Sequence, residues 1–124
     1  SEDVAKKIKQ TGAKYVDISG AGGTSWSEIE YQRSTNSASG FENWGIPTLR
    51  SLLMVRGIMP TIASGGLRSG IDIIKSVVLG ADLGGAAYPF LKSYYAGTLE
   101  TTIRLWIRQM QITAFLTGAK TYKD

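Results

Sequence analysis

Between Thr61 and Leu91 the chain reads T-I-A-S-G-G-L-R-S-G-I-D-I-I-K-S-V-V-L-G-A-D-L-G-G-A-A-Y-P-F-L, and no other stretch restricts the fold as much. Thr61–Ser64 is a short apolar run sized for a buried parallel strand, and Gly65-Gly66 stops it. A helical pattern follows from about Ser69 to Leu79, Gly80 ends it, and the small-residue run Ala81–Ala87 reads as a second strand. Strand, glycine turn, helix and strand make a βαβ unit. Its two parallel strands finish at the same sheet edge, and both finish in small residues. Backbone N–H groups there can approach an anion with no side chain in the way. This edge, with the helix start near Ser69, is the candidate phosphate site.

The flanking segments extend the same alternation. Glu2–Gln10 places Val4, Ala5 and Ile8 on one face, as an amphipathic helix does, and Gly12 sits where a helix ends in a left-handed residue. Lys14–Ser19 reads as a strand entering a core, followed by the small residues Gly20–Gly23. Ser25 and Glu28 have capping-box spacing at a helix start, which gives Glu28 a structural task and leaves Glu30 the carboxylate of chemical interest. Tyr31–Trp44 is polar and reads as a mobile loop, a lid or a disordered segment. A helix after Pro47 turns Leu49, Leu52, Leu53 and Met54 inward and closes at Arg56-Gly57. Pro89 can start a helical turn, and Thr98 caps a longer helix with Ile103, Trp106, Ile107, Met110, Ala114 and Phe115 inward. A Gly-Ala step recurs at Gly12, Gly80 and Gly118, as in a chain of repeated αβ units.

Three parallel strands cannot close a barrel, which takes eight. The expected fold is therefore α/β, the C-terminal part of a (β/α)8 TIM barrel, with residues 1–124 as one partial domain. A small open α/β sheet is the alternative. The start inside a helical pattern, without an initiator Met or signal peptide, reads as that of a fragment.

Composition removes several chemistries. The chain has 124 residues with no Cys and no His, which excludes disulfides, thiolate catalysis, a Ser-His-Asp triad and imidazole metal ligands. A net charge of +4 without basic runs argues against nucleic acid as a partner. No apolar stretch reaches the ~18 residues that a bilayer span needs.

The Ala63–Leu91 segment resembles the phosphate-binding end of FMN-dependent barrel enzymes, a group that includes 2-hydroxy-acid oxidases, inosine-monophosphate dehydrogenases and type 2 isopentenyl-diphosphate isomerases. Much of the group carries a G-R-P-F-L pattern where this chain has Ala87-Tyr88-Pro89-Phe90-Leu91. V-D-I-S-G-A-G-G-T-S-W-S-E-I-E at Val16–Glu30 and W-G-I-P-T at Trp44–Thr48 resemble the type 2 isomerase branch. The resemblance runs from the helix before the sixth barrel strand to the last helix.

It implies a cytoplasmic flavoprotein of isoprenoid biosynthesis, a homo-oligomer using FMN, NADPH and Mg2+ (magnesium) to interconvert isopentenyl and dimethylallyl diphosphates. Gly65, Gly66, Leu67 and Arg68 would line the FMN phosphate, with Ala87 and Tyr88 on the next strand. Ser19 and Thr24 would lie near the flavin, and Trp26 and Glu30 would face the diphosphate substrate. An apolar wall at Trp26 would raise the Glu30 pKa and make it a proton donor. The lysine, metal-binding carboxylate and acid/base glutamine of the family would lie upstream, in the missing N-terminal part of the barrel. The chain alone is then expected to be inactive, with weak FMN affinity at best. Competing readings are a non-catalytic phosphate- or nucleotide-binding α/β module, a self-associating half-barrel, and another FMN-dependent oxidoreductase. The absent His argues against the oxidases.

Overall fold

The structure, a computed structural model, describes residues 1–33, 40 and 43–121. Nine elements follow in order: α1 (Glu2–Gln10), β1 (Val16–Asp17), α2 (Trp26–Arg33), α3 (Thr48–Val55), β2 (Thr61–Ala63), α4 (Gly70–Val78), β3 (Leu83–Gly84), α5 (Tyr88–Tyr95) and α6 (Leu99–Leu116). The three strands form one parallel sheet in the order β1-β2-β3. Val16 is in register with Thr61, Asp17 with Ile62, Ile62 with Leu83 and Ala63 with Gly84. All three strands therefore end at the same edge, as the βαβ pattern requires.

The ladders are shorter than Lys14–Ser19, Thr61–Ser64 and Ala81–Ala87. Pairing outlasts the strands on the β1 side, where Ile18 N–H donates to Ile62 O at 3.1 Å and Gly20 N–H to Ser64 O at 2.9 Å. Asp82 fixes the opposite end of β2. Its carboxylate accepts from Thr61 N–H at 2.8 Å, while its own N–H donates to Thr61 O at 2.9 Å.

Leu52, Ala63 and Ala81 form the core, with Ile18 and Leu79 against them. α4 begins on Ser69, whose hydroxyl accepts from Asp72 N–H, and Gly12, Gly80, Gly97 and Gly118 follow helices at positive φ, as left-handed helix ends do.

Other expectations are corrected. In α3, Leu52 and Val55 are buried, whereas Leu49 and Leu53 are exposed. In α6 only Trp106 is buried, and Phe115 is 81% exposed, because nothing among the described residues packs on that side. Thr98 makes no side-chain cap; its hydroxyl turns back to Ser93 O at 3.4 Å. Pro89 lies in the first turn of a full helix, Tyr88–Tyr95, rather than of a single turn. The loop expected over Tyr31–Trp44 falls mostly on residues 34–39, 41 and 42, outside the described residues, and its first three residues continue α2. Among the described residues no helix is long and apolar enough to cross a membrane.

Candidate functional site

The segments after the three strands surround one cavity of about 720 Å³ at the C-terminal sheet edge. Asp17 on β1, the segment after it with Ser19, Gly20, Gly23 and Thr24, and Trp26 at the start of α2 line one part of it, and Ser64 through Arg68 follow β2. Gly85 through Pro89 follow β3. The cavity thus brings together Ser19, Thr24, Trp26, Gly65, Gly66, Leu67, Arg68, Ala87 and Tyr88. It omits Glu30.

Glycine lets two of these segments touch. Gly65 and Gly66 have φ of 98° and 87°. A Cβ on Gly65 would lie 2.0 Å from Gly20 O, and one on Gly66 would lie 2.1 Å from Gly22 O. The contact is mutual, since a Cβ on Gly23 would come within 2.9 Å of Gly66 N. These glycines serve first to seat the β2 segment on the β1 segment. Thr48 at the head of α3 clamps the same place by donating its hydroxyl to Gly65 O. Asp17 clamps it from below: one carboxylate oxygen accepts from Ser19 N–H at 2.9 Å and from the Ser64 hydroxyl. That bond helps hold Ser19 at φ 39°, a conformation that costs a non-glycine residue energy.

The distribution of unbonded amides departs from the sequence expectation at the start of α4. At α4, Arg68 N–H donates to Asp72 Oδ2 at 3.0 Å, Gly70 N–H to Gln109 Oε1 at 2.8 Å, and Asp72 N–H to Ser69 Oγ at 3.2 Å. The helix start near Ser69 is therefore largely occupied by protein acceptors. α5 starts instead on Ala87 with no side-chain cap and with Pro89 in its first turn. Among the described residues, the amides of Gly65, Gly66, Leu67, Ala86, Ala87 and Tyr88 donate to no protein acceptor. All six belong to the cavity lining. Such a set, beside a helix N-terminus, suits an anion.

Arg68 is the one cation in the described lining and Asp17 the one carboxylate. The Arg68 guanidinium carbon lies 5.5 Å from the Tyr88 ring centroid. Since Asp17 is on β1 and Arg68 follows β2 toward β3, an anion is favoured at the Arg68 side. The donor set, the volume and the charge fit the phosphate end of a nucleotide such as FMN. Among the described residues no group of three or more His, Cys, Asp or Glu could hold a metal ion.

Trp26 opens α2 and is 67% exposed. Glu30, one turn on, points to Arg33, whose Nη1 lies 3.7 Å from its carboxylate. No apolar wall encloses it, because α2 buries none of its residues. Ser25 accepts from Glu28 N–H at 3.2 Å, but the Glu28 carboxylate accepts from Gln32 at 2.7 Å instead of completing the box.

Sequence reading missed Asp17, Ser64 and Gln109, and it placed Ala87 and Tyr88 on a strand where the structure starts α5. Asp17 did carry a signal, as a charged residue inside a strand pattern. Gln109 carried none, lying 39 residues from the amide it accepts.

A sequence profile described as FMN-dependent dehydrogenase matches residues 1–124. Curated relatives include an isopentenyl-diphosphate delta-isomerase of Rickettsia felis, 49% identical across 100% of this chain and 39% of the relative. Proteins of the same name from Rickettsia peacockii and Rickettsia bellii are 48% and 47% identical, with the same 100% and 39% coverage. The chain thus spans 39% of the length of the relatives it matches. With its whole length inside that profile, the chain belongs to the FMN-dependent dehydrogenase family.

Proposed function

We propose that this chain is one partial domain, the C-terminal part of a (β/α)8 barrel that binds FMN and interconverts isopentenyl and dimethylallyl diphosphates. The observation that carries this reading is the meeting of Gly65–Leu67 and Ala86–Tyr88, with their unbonded amides, and Arg68 on one cavity. The name shared by the Rickettsia relatives supports the isomerase over an oxidase.

In this reading the amides of Gly65, Gly66, Leu67, Ala87 and Tyr88 hold the flavin phosphate, and Arg68 neutralises it. Ser19 and Thr24 adjoin the flavin on the β1 side, where Asp17 fixes the backbone of Ser19. Trp26 faces the substrate side. Glu30 reaches a substrate only by leaving Arg33. FMN held there would, in its NADPH-reduced form, supply acid/base chemistry for a proton shift with no net redox change. Mg2+ belongs with the diphosphate, on ligands outside this chain.

Joining the chain to the upstream part of the Rickettsia felis relative tests the proposal. The joined protein should bind FMN and convert isopentenyl diphosphate with NADPH and Mg2+, while the 124 residues alone should not turn over. A soluble joined protein with neither flavin nor turnover overturns the assignment, and turnover by the chain alone overturns the partial-domain reading.

A further inference from the structure

Arg68 and Tyr88 sit on different strand ends of the cavity, one after β2 and one at the first residue of α5, and their side chains meet across it at 5.5 Å. The Arg68 backbone is fixed, because its N–H is bonded to Asp72 Oδ2. Its guanidinium has no carboxylate partner among the described residues, whose ion pairs are Lys6–Glu2, Arg33–Glu30, Lys75–Asp72 and Arg104–Glu100. Such a long side chain on an open rim samples many rotamers, and ordering it opposes binding. The Tyr88 ring removes part of that cost by holding the cation before a ligand arrives.

The mode of holding matters. A carboxylate would neutralise the guanidinium and consume its N–H groups. An aromatic face attracts the charge through its quadrupole and leaves the in-plane donors free for a bidentate phosphate contact.

We infer that Tyr88 is a positioning residue: its ring holds the Arg68 guanidinium over the anion cradle and thereby sets the preference for a phosphorylated flavin over an unphosphorylated one. The inference rests on the reading of this cavity as a flavin-phosphate site. Tyr88 acts through Arg68, so its effect vanishes where Arg68 is absent.

The test compares FMN with riboflavin in the full-length protein by flavin fluorescence titration. Tyr88→Ala should lower the FMN-to-riboflavin affinity ratio about two- to fivefold, the worth of an exposed cation–π contact. Tyr88→Phe should restore the wild-type ratio, since the ring face remains. In an Arg68→Ala background, Tyr88→Ala should leave the ratio unchanged. Without flavin, the Arg68 side-chain protons should show a ring-current shift in the wild type and in Tyr88→Phe, lost in Tyr88→Ala. Riboflavin affinity serves as the folding control. A discriminating wild type whose Tyr88→Ala variant discriminates equally, or an unchanged effect of Tyr88→Ala without Arg68, overturns the inference alone. A wild type that binds FMN no tighter than riboflavin overturns the phosphate-site reading and this inference with it.

Discussion

Gly66→Ala isolates the contact that builds the cavity. Gly66 has φ of 87°, and an added Cβ would lie 2.1 Å from Gly22 O, 2.3 Å from Gly22 C and 2.8 Å from Gly22 Cα. All three are backbone atoms, so no side chain can rotate out of the way. Gly12 provides a matched reference, with φ of 86° and nothing within 4 Å of the added atom. Alanine at either site carries the left-handed backbone cost of about 1–2 kcal/mol, offset by about 0.4–1 kcal/mol from a stiffer unfolded chain. Only Gly66→Ala must also separate the two strand-end segments, an overpacking cost of about 1–3 kcal/mol. Chemical denaturation should therefore place Gly66→Ala about 1–3 kcal/mol below Gly12→Ala, with flavin affinity reduced in the former alone. Equal destabilisation of the two variants, within ~0.5 kcal/mol, would refute the argument that glycine is needed here for close approach rather than for backbone freedom.

Three further perturbations test other parts of the structure. Gln109→Leu removes the acceptor of the buried Gly70 N–H and should cost about 1–3 kcal/mol in denaturant unfolding, whereas Gln109→Glu keeps an acceptor and should cost less. Leu52→Ala empties a side chain that is only 1% exposed at the centre of the core, and a loss of about 2–5 kcal/mol is expected in the same assay. Lys6 holds the Glu2 carboxyl below its ordinary pKa of 4.5 by a hydrogen bond and by its charge, and Glu2 raises Lys6 above 10.5 in return. A depressed acid stabilises above its ordinary pKa and loses that contribution as pH falls through the lowered value. A raised base stabilises below its ordinary pKa and loses that contribution as pH rises through the raised value. The pair's contribution is therefore level between pH 4.5 and 10.5. An NMR titration of Lys6→Met should return Glu2 toward 4.5.

What the sequence made readable is local. Ser69 three residues before Asp72, and Gly12, Gly80, Gly97 and Gly118 after apolar-periodic runs, mark helix ends that the backbone then adopts. The parallel order of the strands followed from the βαβ pattern. Burial was less readable, because an apolar helix stripe shows which face wants a partner and not whether one is there. Phe115, Leu49 and Leu53 satisfy the pattern and remain 81%, 53% and 44% exposed. The purpose of Gly65 and Gly66 was half-readable: their small size is local, but the Gly20 and Gly22 backbones they accommodate lie more than forty residues away. The same limit made the start of α4 look open, when Gln109 from α6 and Asp72 from its own first turn occupy it.

The two ends of the cavity are held differently, and this bears on what the chain retains alone. Each group that fixes Gly65–Arg68 is present among the described residues: Thr48 on Gly65, Gly20 and Gly22 against the two glycines, Asp17 on Ser64 and Asp72 on Arg68. The Gly65–Arg68 side of the proposed anion cradle is therefore held by groups within this chain. At the other end Trp26 stands on α2, a helix that buries no residue. Nothing among the described residues fixes its ring or screens Glu30 from water, and chemistry that depends on an excluded, low-dielectric pocket has no walls there. On the proposed reading, the 124 residues alone should keep some preference for FMN over riboflavin in a fluorescence titration while showing no isomerisation, and equal affinity for the two flavins would refute this.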